Sequence, residues 1–264
     1  MTGIYLYCVT EGEPSGAAAP RGIDENHEVY SLTYGDLAAV VSPVDLAEYG
    51  EGVMEERLQS MEWLESKVRI HTQVIVWAME QCPVLPMKFA TIFSAEEKVR
   101  GLLSEQYEDF KSLLRHLRGV EEWGAKLYIQ PETFFRARLG EELESLEREM
   151  AGKPRGQAYL LRKKMEQSLE ERRERLLAET IEGAHRRLSG KAEDSCENDV
   201  ITTPDASERM ELNAAYLVSK DRREEFLAET EAIQAELSGF GIRLCPSGPW
   251  PPYNFSRPEL RREE

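Results

Sequence analysis

Glu211-Leu212-Asn213-Ala214-Ala215-Tyr216-Leu217-Val218 alternates apolar and polar positions, with Leu212, Ala214, Tyr216 and Val218 on one side. A period of two is the mark of a strand with one buried face. Downstream, Arg222 to Leu237 places Phe226, Leu227, Ile233 and Leu237 at helical spacing, Gly239 and Gly241 close that helix, and Ile242 to Cys245 reads as a further strand. Upstream, Ala125-Lys126-Leu127-Tyr128-Ile129 is strand-like. Glu132 to Ser189 is dense in Glu, Arg, Lys and Leu, the composition of long solvated helices, and Gly152, Pro154 and Gly156 are expected to break it in two. An apolar Val200-Ile201 pair in the polar stretch that follows predicts a short strand. The resulting order, β, α, β, β, α, β, is that of a ferredoxin-like fold.

The N-terminal half follows a different pattern. Ile4 to Val9 is a β-favouring run, Gly12 to Gly22 a small-residue surface loop, and His27–Leu32 and Leu37–Ser42 two further strands joined by hairpin-turn chemistry at Tyr34-Gly35-Asp36. Met54, Leu58, Met61, Leu64, Val68, His71, Ile75 and Ala78 then recur at three- and four-residue steps, which predicts one long amphipathic helix stopped by Pro83. Val84 to Phe89 reads as an irregular or edge strand between prolines. Ser94 with Glu97 has the spacing of a capping box, so a helix is expected from there to about Leu117, ending at Gly119. The expected fold class is therefore α+β in two domains, residues 1–120 and 121–247, followed by a tail at 248–264.

Composition narrows the function. The 264 residues carry 33 Lys and Arg against 49 Asp and Glu, a formal charge of −16. A field of that sign repels nucleic acid and anionic lipid, so neither is an expected partner. No basic start precedes the first apolar run and no apolar stretch reaches the roughly 20 residues that span a bilayer, so a cytosolic protein is expected. Cys8, Cys82, Cys196 and Cys245 are isolated from one another and from histidine, which predicts buried thiols and no metal site. No nucleophile elbow, phosphate-binding loop, dinucleotide fingerprint or zinc-protease motif is present, and His71 lies on an apolar helix face without a nucleophile or carboxylate set beside it. No catalytic residue and no cofactor is expected. An enzyme of unrecognised type is the competing class, since a fold alone excludes little.

Gly248-Pro249-Trp250-Pro251-Pro252-Tyr253-Asn254-Phe255 is the least ordinary segment, three large aromatics set among prolines that are expected not to continue a sheet. Trp250, Tyr253 and Phe255 are the candidate partner-binding residues. The alternative is a clasp, in which the same rings pack on the chain's own domains.

In six separated places and in the same order, the chain resembles the gas vesicle F/L family: Ile4-Tyr5-Leu6-Tyr7, Gly35 to Ser42, Pro83 to Phe93, Glu122 to Lys126, Ala215 to Val218 and Gly248 to Phe255. The resemblance implies two modified ferredoxin-like units and an accessory protein of gas vesicles within the cytoplasm. It implies contact with the small hydrophobic shell protein and with other accessory proteins during assembly, possible retention as a minor vesicle component, and no catalytic residues. Two roles follow: an assembly factor that captures the shell subunit, or a structural scaffold among accessory proteins. One departure is Ala90, where relatives often carry glycine; its methyl group predicts a backbone without positive φ there.

Overall fold

The computed structural model describes residues 1–16, 18–151, 155–200 and 207–256. The chain is mixed α+β and forms two compact units, Met1–Glu122 with the segment returning at Pro249, and Trp123–Gly248. Each unit is built on its own antiparallel sheet.

In unit 1, strands β1 (Thr2–Glu11), β2 (Tyr30–Tyr34) and β3 (Leu37–Asp45) are followed by helices α1 (Leu46–Tyr49), α2 (Glu51–Arg57) and α3 (Met61–Met79). Then come β4 (Val84–Pro86), β5 (Ile92–Phe93), α4 (Glu96–Glu105) and α5 (Tyr107–His116). The strand order is β2-β3-β1-β4, with β5 also on β1. As the central strand, β1 buries every residue from Gly3 to Thr10, which accounts for its unbroken apolar and aromatic run. On one side Tyr5, Tyr7, Val40 and Val44 pack with Val74, Ile75 and Ala78 of α3. Helices α4 and α5 also lie along the sheet and bury Val99, Leu103, Phe110 and Leu114.

Because β1 and β2 are both antiparallel to β3, they run in the same direction. The loop between them must therefore return the length of the sheet without a helix. It is pinned on the way, where the Ile23 N–H donates to the Tyr7 hydroxyl at 2.7 Å and the Gly22 N–H to the His27 carbonyl. The Asp24 carboxylate accepts the Asn26 and His27 N–H groups, so His27 belongs to this loop and the strand starts at Tyr30, three residues later than expected. The hairpin to β3 turns on Gly35 at φ +60°, as its sequence indicates.

Three local expectations are corrected. The long helix is two: the Ser60 hydroxyl accepts the Trp63 N–H and opens α3 afresh, which leaves Leu58 and Met61 exposed although their spacing continues the apolar stripe. The capping box at Ser94 does not form; α4 starts after Ala95 with no side-chain cap, and a break at Gln106 separates it from α5. Ala90 stands at φ +65°, in the left-handed region, despite its methyl group. Pro86, by contrast, ends β4 on the sheet edge, where its missing N–H leaves no interior ladder bond unmade.

Unit 2 contains β6 (Val120–Ile129), which begins just before it, then α6 (Pro131–Ala151), α7 (Arg155–Ser189), β7 (Asp194–Glu197), β8 (Arg209–Ser219), α8 (Arg223–Leu237) and β9 (Ile242–Trp250). Its strand order is β7-β8-β6-β9. Trp123, Leu127, Tyr216, Phe226, Ile233 and Leu188 are among the residues that close its core. The charged stretch forms a shorter and a longer helix, as expected, with Gly156 the second residue of α7; Gly152 and Pro154 lie outside the described residues. A short strand forms at Asp194–Glu197, paired Ser195↔Tyr216; of the expected Val200-Ile201 pair, Val200 is in no strand and Ile201 lies outside the described residues. Strand β9 runs on through Pro246 and Pro249 to Trp250, as an edge strand can, since a proline nitrogen facing away from the ladder breaks no pairing.

Candidate partner-binding surface

The segment after β9 does not hang free of unit 1. Pro251, Pro252 and Ser256 are buried, and the chain turns through Tyr253-Asn254-Phe255, with the Tyr253 N–H on the Pro251 carbonyl (2.7 Å) and the Phe255 N–H on that of Pro252 (3.3 Å). Two side chains then fasten it. The Tyr253 hydroxyl lies 3.1 Å from His71 Nε2, and Asn254 meets Glu122 twice, its backbone N–H at 2.9 Å from Oε2 and its amide Nδ2 at 2.6 Å from Oε1.

His71 connects this tail to the middle of the sheet. Its Nδ1 lies 3.0 Å from the Tyr5 hydroxyl, which itself accepts the Ala90 N–H at 2.9 Å. With the proton on Nε2 the buried groups pair in sequence: Ala90 N–H to Tyr5 oxygen, Tyr5 O–H to Nδ1, and Nε2–H to the Tyr253 oxygen. The strained Ala90 backbone therefore aims a donor at a buried phenol. Tyr5, Tyr7 and Phe89 surround the imidazole with ring centroids 5.7–5.8 Å away. Burial pulls the His71 pKa down to about 4, partly offset by the Met87 carbonyl. Burial likewise pushes the Tyr5 and Tyr253 phenols up. It raises the Glu122 carboxyl too, against the bonds from Asn254, which favour the carboxylate.

The candidate residues divide. Tyr253 is pinned through its hydroxyl yet keeps 38% of its surface exposed; Phe255 is half-buried in the same turn; Trp250, at the end of β9, is 46% exposed. Sequence reasoning missed His71 as the anchor, Glu122 as the second pin, and the exposed part of α3. There Met61, at 75% exposure, and Val68 share one edge of the helix, with Leu58 just before it. Tyrosines inside an apolar strand were the available signal, because a buried phenol needs a partner.

Among the described residues no group of three or more His, Cys, Asp and Glu is placed to hold a metal ion, and no helix is long and apolar enough to cross a membrane. All four cysteines are free thiols; Cys8 is buried as expected, whereas Cys82, Cys196 and Cys245 are only half-buried.

Residues 3–257 match the model of the gas vesicle synthesis protein GvpL/GvpF family. The chain belongs to this family. Gas vesicle protein L of Streptomyces sp. (strain CB03234) is 29% identical over 262 residues, covering 96% of this chain and 92% of the relative. Gas vesicle protein F1 of Halobacterium salinarum is 24% identical over 255 residues at the same coverage. The fold is shared with the crystal structure of GvpF from Anabaena sp. PCC7120, at TM-score 0.75 and 19% identity over 100% of both chains. It is also shared with GvpF from Microcystis aeruginosa, at 0.69 and 22% over 97% and 99%.

Proposed function

We propose that this gas vesicle protein works in the cytoplasm as an assembly factor that binds the hydrophobic shell subunit and assists vesicle nucleation, by binding and not by catalysis. The observation that carries this reading is the exposed apolar edge of unit 1, where Met61 and Val68 stand out on a helix whose His71 also holds the aromatic tail, in a chain of net charge −16. Apolar surface offers about 25 cal/mol per Å² to an apolar partner before association costs, while the acidic exterior favours solubility. Retention as a minor vesicle component and contacts with other accessory proteins belong to the same proposal. So does the description of each unit as a modified ferredoxin-like unit, supported by the β7-β8-β6-β9 order of unit 2 and by the loop that replaces a helix between β1 and β2.

The test is co-purification with the shell subunit. Wild type is compared with Met61→Asp/Val68→Asp and with Trp250→Ala/Tyr253→Ala, each checked by circular dichroism. The helix variant is expected to lose binding at least tenfold while folded, which corresponds to about 1.4 kcal/mol. Equal binding by all three folded proteins would place the contact elsewhere and remove the apolar edge from the reading.

A further inference from the structure

We propose that the groove on unit 1 that holds Tyr253 and Asn254 is a peptide-recognition site filled by the chain's own tail, and that it accepts the same tail from a second copy. This is independent of shell-subunit binding.

The starting point is Glu122. Its side chain is buried, and among the described residues no cation faces it; both carboxylate oxygens are met by one residue, Asn254, through its backbone N–H and its amide. A buried carboxylate without donors is strongly disfavoured, so the groove is built to receive a segment that brings two N–H groups. The neighbouring residue is read separately, since His71 Nε2 addresses the Tyr253 phenol. A phenol followed at once by an asparagine is thus recognised by two side chains set on different elements, α3 and β6. Pro251 and Pro252, both buried, lead into the groove, and prolines lower the conformational entropy lost when an extended segment docks.

The connection to this segment suits exchange. Gly248 stands at φ +133°, a setting open to glycine, and is followed by Pro249; both are exposed. Gly248 and Pro249 lie at the end of the edge strand β9, so release of the tail uncovers Pro251, Pro252 and Ser256, which the tail of a second copy covers again. The tail of a second copy is chemically identical, so cis and trans occupancy differ only in effective concentration, which is on the order of millimolar for a short tether. Exchange is therefore a property of crowded copies, as in other cases of element swapping.

The test uses two full-length variants. A receptor chain carries Tyr253→Ala/Asn254→Ala, which disables its tail and leaves the groove intact; a donor chain carries Glu122→Ala, which disables the groove and leaves the tail. Circular dichroism verifies that both are folded, and sedimentation velocity follows the labelled receptor as unlabelled donor is raised to about 1 mM, near the effective concentration above. The expected result is a one-to-one complex of receptor with donor and none of receptor with itself. In parallel, the peptide Pro249–Ser256 is titrated into the receptor and wild type, with binding to the receptor expected to be at least about tenfold tighter, because two hydrogen-bonded pins no longer hold a competing tail. Receptor that binds the peptide but does not pair with donor overturns exchange between copies. Folded receptor that binds neither, or wild type that binds the peptide as tightly as receptor, overturns the recognition site.

Discussion

The two units use the same contact to different ends. In each, a histidine from a helix meets a tyrosine on a sheet strand: His71 with Tyr5 in unit 1, ring centroids 5.7 Å apart, and His185 with Tyr216 in unit 2, at 5.6 Å. The hydrogen bonds are alike, 3.0 and 2.8 Å. What differs is the far side of the ring. His71 turns its second nitrogen to the Tyr253 phenol and is 2% exposed, whereas His185 faces the Glu197 carboxylate on the edge strand β7 at 3.8 Å. A neutral partner in a dry site makes the imidazole of His71 a structural linker, whereas His185 sits on a partly exposed face beside a carboxylate.

The largest expected effect comes from deleting each ring. His71→Ala removes two hydrogen bonds and leaves a void among Tyr5, Tyr7 and Phe89, at a cost of about 3 kcal/mol or more in unit 1. His185→Ala, on a partly exposed helix face, should cost about 1 kcal/mol. Hydrogen exchange resolved by unit measures both; equal costs would break the contrast.

The acid response sharpens it next. The His71 pKa in the folded chain, about 4, lies below its ordinary 6.5, so the folded state binds fewer protons than the unfolded state between those values. Its contribution to stability is complete above pH 6.5 and is lost as pH falls toward 4, by about 3 kcal/mol in all. Denaturant midpoints at pH 7 and 4.5 should diverge more for wild type than for His71→Gln; equal divergence would remove His71 from the acid response.

The smallest effect concerns the strained donor beside Tyr5. Ala90→Gly should raise the stability of unit 1 by about 0.5–1 kcal/mol, because glycine adopts φ +65° without the steric cost that a Cβ brings. A lower thermal midpoint would show that the methyl group's packing outweighs its strain.

Legibility followed locality. Strands β6 and β8 were readable because alternation along one strand records burial on one sheet face. Strand β7 was not: Asp-Ser-Cys-Glu has no apolar pattern, and only its pairing with β8 makes it a strand. The stripe from Met54 to Ala78 concealed a helix break because spacing reports periodicity and says nothing of a serine hydroxyl that starts a new helix. For the surface, the aromatic tail was conspicuous, but its anchors were not. His71 and Tyr253 are 182 residues apart, and Glu122 and Asn254 132.

By itself, then, the sequence determined the α+β class, most of the strands and helices, the acidic charge and the family, since each is written in local pattern, composition or separated short motifs. Only the tertiary structure decided that the tail is fastened to unit 1, that Ala90 takes a left-handed backbone, and that Met61 faces solvent. Those outcomes depend on which distant groups meet, and a hydrogen bond between residues far apart in the chain leaves no periodic trace in either partner's neighbourhood.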